Sequence, residues 1–190
     1  MPESPFPDPK ALPLTEDPVL IRAADITDAA QLCSLYNHYV TDTTITFEEA
    51  PVSIPAFADR IRDISAAYPW LVMETAGRIA GYAYGAPWKS RSAYRFSAET
   101  TIYLAPEARG QGLGLQLYRE LINRLRERGL RSLVGGIALP NPASIALHEK
   151  LGFEKIGQFR QIGHKFGDWI DVGYWQLLLE SQGQSGADDS

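Results

Sequence analysis

One stretch, RGQGLGLQLY from Arg109 to Tyr118, constrains this chain more than any other. It follows the β-branched run ETTIYLA, sets Gly110, Gly112 and Gly114 at alternate positions, and carries Leu113, Leu117, Leu121 and Leu125 at i+4 spacing. The order is therefore strand, glycine turn, helix. A helix that begins directly after such a turn presents its first N–H groups, which have no intrahelical acceptor, together with the positive end of its dipole. Glycines let an anionic group reach that backbone, so the stretch reads as a phosphate site. Two common phosphate loops are excluded by residue type. The dinucleotide fingerprint needs a third glycine where Leu115 stands, and the lysine and hydroxyl of a Walker loop are missing. An ordinary glycine-rich turn satisfies the same three glycines, so context has to decide.

The surrounding pattern alternates. VLIRAAD predicts a short strand, and ITDAAQLCSLYNHYV a helix with Leu32, Cys33, Tyr36 and Tyr39 at helical spacing. Ser53 is placed to cap a second helix through IPAFADRIRDISAA, which must stop before Pro69 because the residue preceding proline disfavours helical backbone. WLVMET and RIAGYAYGAPW read as strands joined in a hairpin at Ala76 and Gly77. After the polar loop KSRSA, YRFSAETTIYLA predicts one long strand ending near Pro106. The helix after the glycines ends at Gly129. A strand over Leu130–Ile137, a helix over Pro142–Leu151 and strands over Phe153–Phe159 and Trp169–Leu178 complete an α/β domain: a mixed central sheet flanked by helices.

Length and composition fit one such domain. With 190 residues and 45% hydrophobic content the chain supports one sizeable core and is too short for two. Six of the 13 prolines lie in the first 18 residues, which predicts a disordered arm over 1–18; SQGQSGADDS predicts a disordered tail over 181–190, leaving the folded domain at 19–180. A balance of 18 basic against 23 acidic residues, net −5, gives no electrostatic footprint for nucleic acid. No apolar stretch reaches the roughly 20 residues that span a bilayer, and the N-terminus lacks a secretory pattern. A cytoplasmic location with neither membrane nor nucleic acid as partner is expected. Cys33 is the single cysteine, so no intrachain disulfide forms, and it reads as core. His38, His148 and His164 are dispersed and show no metal-ligand spacing with Cys33, so no metal is expected.

With these elements in place, RGQGLG after TTIYLAPEA resembles the acetyl-CoA pyrophosphate loop of the GNAT N-acetyltransferase superfamily, through Arg109, Gly112 and Gly114. A second segment in the expected order, NPASIALHEKLGF, is similar to the one in which that superfamily brings an asparagine to the cofactor and runs a helix into Leu-Gly-Phe. YNHYV, YPWLV, GAPWKSRSAY, AETTIYL and HKFGDWIDVGYWQL together resemble one branch, the phosphinothricin N-acetyltransferases and related acetyltransferases of methionine sulfoximine and methionine sulfone. The resemblance runs from about Leu20 to Leu179. It implies a GNAT fold splayed at the acetyl-CoA site, acetyl-CoA as co-substrate, transfer of its acetyl group to the α-amine of an amino-acid-type substrate, and a homodimer.

The resemblance also assigns residues. Arg109, Gly110, Gln111, Gly112, Leu113, Gly114 and Leu115 would hold the pyrophosphate, and Asn141 and Ser144 would meet the cofactor. Backbone at Ile102, Tyr103 and Leu104 would receive the pantetheine arm as an added strand. Glu99 would be the base that frees the amine, which is mostly protonated near neutral pH; the alternative is a solvent-facing strand carboxylate. His148 stands where many GNAT enzymes have a tyrosine that protonates the departing thiolate. Imidazole can serve the same chemistry, and a buried histidine bonded to backbone is the alternative. Lys89, Arg91 and Tyr94 would offer two cations and a phenol to the acceptor's anionic groups, against a simply solvated loop. Phe47 and Thr101 are further substrate-pocket residues by the same resemblance, and Trp169 and Trp175 are expected in core or dimer contacts. Two other functions fit the same signals: acetylation of another amine (aminoglycoside, polyamine or protein N-terminus), and a non-catalytic acyl-CoA-binding module, which has no need for Glu99.

Overall fold

A computed structural model describes residues 18–180. The expected tail, and the expected arm apart from Pro18, lie outside these residues. Among them, seven strands form one sheet in the order β1-β2-β3-β4-β5-β7-β6. The strands are β1 (Leu20–Ala23), β2 (Trp70–Thr75), β3 (Arg78–Pro87), β4 (Ser97–Leu104), β5 (Ser132–Ala138), β6 (Glu154–Lys165) and β7 (Asp168–Leu178). Neighbours run antiparallel except β4 and β5, which are parallel. Four helices pack against the sheet: α1 (Ala29–Asp42), α2 (Ile54–Ser65), α3 (Leu113–Glu127) and α4 (Pro142–Lys150).

The run WLVM explains the layering. Successive strand side chains point to opposite faces, so a run that is apolar at every position needs cover on both. Trp70 and Val72 join Leu32, Val40, Phe57 and Ile61 of α1 and α2, whereas Leu71 and Met73 join Leu117, Leu121 and Leu125 of α3. Fully burying each such side chain contributes about 1.5–3 kcal/mol. Cys33 lies in the α1–α2 core, as its spacing predicts. Local signals place the element ends. Ser53 Oγ accepts the Ala56 N–H at 3.3 Å at the start of α2, and Gly129, at φ +82°, ends α3 while the Leu130 N–H donates to Leu125 O at 3.2 Å. Ala76 and Gly77 both adopt positive φ, as a tight hairpin turn requires.

Two strands differ from expectation. Strand β4 begins at Ser97 rather than Tyr94, because β3 ends at Pro87 opposite Ala98 and leaves the preceding residues no ladder partner; Ser92–Tyr94 form a 3-10 turn instead. Strand β6 continues past Phe159 to Lys165, since its single partner β7 carries it through a register shift between Phe159 and Gly163. The two tryptophans separate: Trp175 is 1% exposed in the core, and Trp169 is 64% exposed.

The feature that creates a site is the parallel pair. Strands β4 and β5 are paired only where Ser97–Glu99 meet Ser132–Val134. Beyond that point both strands continue without pairing to one another, so the sheet opens into a wedge.

Candidate active site

Strand parity decides what the wedge presents. The Ala105 N–H donates to Ala80 O at 2.9 Å, so odd-numbered residues along β4 hydrogen-bond to β3 and even-numbered ones turn their backbone toward the wedge. Thr100, Ile102 and Leu104 are of that kind. Leu104 is already engaged, because the Tyr39 hydroxyl donates to its carbonyl at 2.6 Å and accepts its N–H at 3.2 Å. Of the three residues expected to receive an extended ligand, Ile102 is thus the one whose backbone faces the gap unpartnered among the described residues. Tyr103 faces β3, and its ring is buried in the α1–α2 core.

The glycine loop lies at the N-terminus of α3. Gly112 sits at φ +78° as the cap residue, and neither Gly110 nor Gly112 would bring a Cβ within 4 Å of any atom, so the loop faces open space. The Leu115 and Gln116 N–H groups donate to Gly112 O at 3.1 and 3.3 Å. Among the described residues the N–H groups of Gly110, Gly112, Leu113 and Gly114 have no carbonyl acceptor. Gly114 serves packing instead: a Cβ there would lie 3.0 Å from Leu104 Cδ1, so glycine lets α3 rest on β4. The Arg109 guanidinium lies over the Tyr39 ring at 5.1 Å, and the Gln111 side chain donates to Glu107 O at 2.6 Å.

Deeper in the wedge is a cavity of about 390 Å³ whose walls include Phe47, Glu99, Thr101, Asn141, Ser144 and His148. Glu99 is half-buried and has no hydrogen-bond partner among the described residues. Burial pushes its carboxyl above the usual range, with the Lys89 charge opposing. Across the gap stands Gly136, where a Cβ would lie 3.4 Å from both Glu99 Oε1 and the Tyr174 ring. Asn141 caps α4 through Oδ1, which accepts the Ser144 N–H at 3.1 Å.

His148 is 4% exposed, with both nitrogens engaged. Its Nδ1 lies 2.8 Å from Ser144 O, which can only accept, so Nδ1 carries the proton. Its Nε2 then accepts from the Tyr118 hydroxyl at 2.9 Å, and that hydroxyl accepts in turn from Thr100 Oγ1 at 2.6 Å. Burial lowers the imidazole pKa, against the Ser144 backbone bond. Gly135 makes room for the ring, since a Cβ there would lie 2.4 Å from Nε2.

The structure gathers some expected residues and separates others. Lys89, Arg91 and Tyr94 are exposed and do not line the cavity. Their loop is tied to it through Trp88, which carries Lys89 Nζ 4.6 Å over its ring and meets Tyr174 edge-on at 5.8 Å. Sequence reasoning missed Thr46, Thr100, Tyr118, Gly135, Gly136 and Tyr174. The paired glycines inside a strand pattern were a usable signal, because such glycines mark close approach of another group. The hydroxyls carried none. Among the described residues no three His, Cys, Asp or Glu side chains group as metal ligands, and no helix is long and apolar enough to cross a membrane.

A parallel pair forced apart beside a helix N-terminus, with a desolvated carboxylate in the gap, is the architecture of a group-transfer enzyme that holds an extended, phosphate-bearing donor. A family profile described as an acetyltransferase (GNAT) domain matches residues 21–173, and the chain belongs to that family of acetyltransferases. It is 41% identical over 163 residues to a phosphinothricin N-acetyltransferase of Streptomyces viridochromogenes, covering 86% of this chain and 89% of that protein. It is 39% identical to an L-methionine sulfoximine/L-methionine sulfone acetyltransferase of Pseudomonas aeruginosa, covering 84% of this chain and 94% of that protein. A phosphinothricin acetyltransferase of Sinorhizobium meliloti, solved in complex with acetyl-CoA, superposes with a TM-score of 0.83 at 36% identity, covering 90% of this chain and 94% of that one.

Proposed function

We propose that the protein transfers the acetyl group of acetyl-CoA to the α-amine of an amino-acid-type acceptor of the phosphinothricin or methionine sulfoximine class. The observation that carries this reading is Glu99: a half-buried carboxylate, raised by desolvation, in the cavity where the sheet splays. Bound acetyl-CoA supplies an activated thioester acyl group. The chain's own groups do the rest. N–H groups of the Gly110–Leu115 loop, with Arg109, hold the pyrophosphate against the α3 dipole, and the Ile102 backbone receives the pantetheine amides as an added strand. Glu99 takes the ammonium proton and releases the lone pair that attacks the carbonyl, and its raised affinity for that proton suits a base working on an amine. His148 is a positioning residue in this reading: its Nδ1–H is given to the Ser144 carbonyl and its Nε2 accepts from Tyr118, so it holds no proton for the departing thiolate, which takes the second proton released by the acetylated nitrogen. Lys89, Arg91 and Tyr94, in the loop before β4, would offer two cations and a phenol to a carboxylate or phosphinyl group, supported by the Lys89 charge that reaches Glu99. Release of free thiol across a panel of amines tests the reading, with acceptors bearing a carboxylate next to the amine expected to turn over fastest. Faster turnover of aminoglycosides or polyamines would overturn it.

We further infer a homodimer. The edge strand β6 leaves Ile156, Phe159 and Ile162 at 56%, 56% and 55% exposure, beside Trp169. An apolar edge of this kind invites pairing unless something covers it, and a second copy of the chain is the occupant we assign. A monomeric mass by light scattering at assay concentration would reject it.

A further inference from the structure

Lys165 is a buried cation that the reaction does not use. It closes β6, is 1% exposed, and donates from Nζ to the Thr46 carbonyl at 2.8 Å. Burial pushes its ammonium below the usual lysine range, with Glu49 and then Glu48 opposing through space. Taking an ammonium out of water is costly unless strong contacts compensate, so its position asks what it holds. Thr46 belongs to the loop after α1, which supplies Ile45, Thr46 and Phe47 to the cavity wall. From the helix side that loop is fixed by the Tyr36 hydroxyl, 2.7 Å from Thr46 Oγ1, and by the Arg60–Glu48 pair at 2.7 Å. From the sheet side it is held by β6 at two neighbouring points. One is the Lys165 bond. The other is Gly163, on which the Phe47 ring packs so closely that a Cβ would lie 2.5 Å from Phe47 Cζ.

We propose that Lys165 and Gly163 form a clamp through which β6 positions the Thr46–Phe47 wall and so sets the fit of the acceptor amino acid's side chain, an inference that rests on reading the cavity as the acceptor site. Lys165 is then a positioning residue, acting through a backbone carbonyl, and Gly163 acts by leaving the space that Phe47 fills. Neither contacts the glycine loop: the Lys165 bond goes to Thr46 and the Gly163 space is filled by Phe47. Loosening the clamp therefore changes acceptor affinity and leaves donor binding alone.

Three variants test this: Lys165→Met, which keeps length but removes the donor; Lys165→Arg, which restores one; and Gly163→Ala, which displaces Phe47 with the cation in place. In Lys165→Met, amide hydrogen exchange should rise across residues 43–49 but not in α3. The acceptor KM should rise about 10-fold, the magnitude expected for loss of a charge-assisted hydrogen bond, with kcat and the acetyl-CoA Kd little changed. Lys165→Arg should recover most of that KM, and Gly163→Ala should raise it by the second route. Parallel losses in kcat, acceptor KM and acetyl-CoA affinity, with exchange raised throughout, would mean that Lys165 merely stabilises the fold. The Glu99→Gln rate is the separate control. Normal turnover there sinks the acceptor-site reading, whereas lost turnover there with an unmoved acceptor KM in both Lys165→Met and Gly163→Ala sinks the clamp.

Discussion

On one side of the cleft, the N–H groups without a carbonyl acceptor among the described residues come from a single run of chain, Gly110 to Gly114, and their geometry follows from a turn and the helix it starts. On the other side, the cavity walls come from segments far apart in sequence: the 45–47 loop, β4, β5, α4 and the β6–β7 hairpin. The loop side uses backbone N–H groups and is indifferent to most side chains. The cavity side depends on side chains held at distances of 2.6 to 3.4 Å by partners more than a hundred residues away in one case, Lys165 with Thr46. A site made of local backbone tolerates drift elsewhere in the fold, while a site made of assembled side chains can be retuned from any of its walls.

The sharpest break of that comparison is Glu99→Gln, which keeps size but cannot take the ammonium proton. Turnover should fall on the order of 100-fold or more while acetyl-CoA binding is unchanged, and a wild-type rate at neutral pH would remove Glu99 as base. Next in size is Arg91→Ala. The loss of a charge-assisted contact should lower kcat/KM for a carboxylate-bearing acceptor roughly 10- to 150-fold, with the acetyl-CoA Kd unmoved; equal losses for acceptors with and without a carboxylate would mean that Arg91 only supports its loop. Gly112→Val addresses the other side. A Cβ there meets open space within the protein, so the change collides with the ligand, and φ +78° adds about 1–2 kcal/mol of strain. Acetyl-CoA affinity should drop about 10-fold or more while acceptor preference is preserved. Unchanged affinity in a folded variant would misplace the pyrophosphate.

Two smaller effects sharpen the cavity side. Gly135→Ala drives a Cβ against His148 Nε2 and should cost about 1–3 kcal/mol of stability, read as a lowered Tm, because the ring can retreat only by giving up its bonds to Ser144 and Tyr118. Lys89→Met should act through Glu99. The Lys89 charge holds the Glu99 carboxyl lower than burial alone would leave it, so removing that charge raises the pKa further. In the proposed mechanism Glu99 acts as the ionised base, which is lost as pH falls through its pKa, so the acid limb of the kcat profile should move to higher pH. A shift to lower pH would contradict the assignment.

Much of this was legible in the sequence. The RGQGLG turn and the NPASIALHEKLGF helix carry their conformation in neighbouring residues, so the glycine turn and most helix ends could be read directly, whereas Glu99 stood out only by resemblance, since spacing alone fits a solvent-facing strand carboxylate equally well. Lys89, Arg91 and Tyr94 could be read as a group but not placed, because an exposed loop has no periodicity to orient it. Thr100, Tyr118 and Gly135 could not be read as partners of His148 at all. Their contacts span 30 residues in the case of Tyr118, and hydroxyls inside an apolar pattern look like ordinary core.

By itself, the sequence determined what depends on short-range chemistry: alternating apolar periods, proline and glycine stops, and a helix N-terminus with free N–H groups. Only the tertiary structure decided how far β4 and β5 pair before they part, which makes the wedge, and how β6 reaches back to the loop after α1, which shapes the cavity. The physical reason is the range of the forces involved. Backbone conformation is selected within a few residues, whereas strand divergence and side-chain burial are settled by packing against elements that the local sequence does not specify.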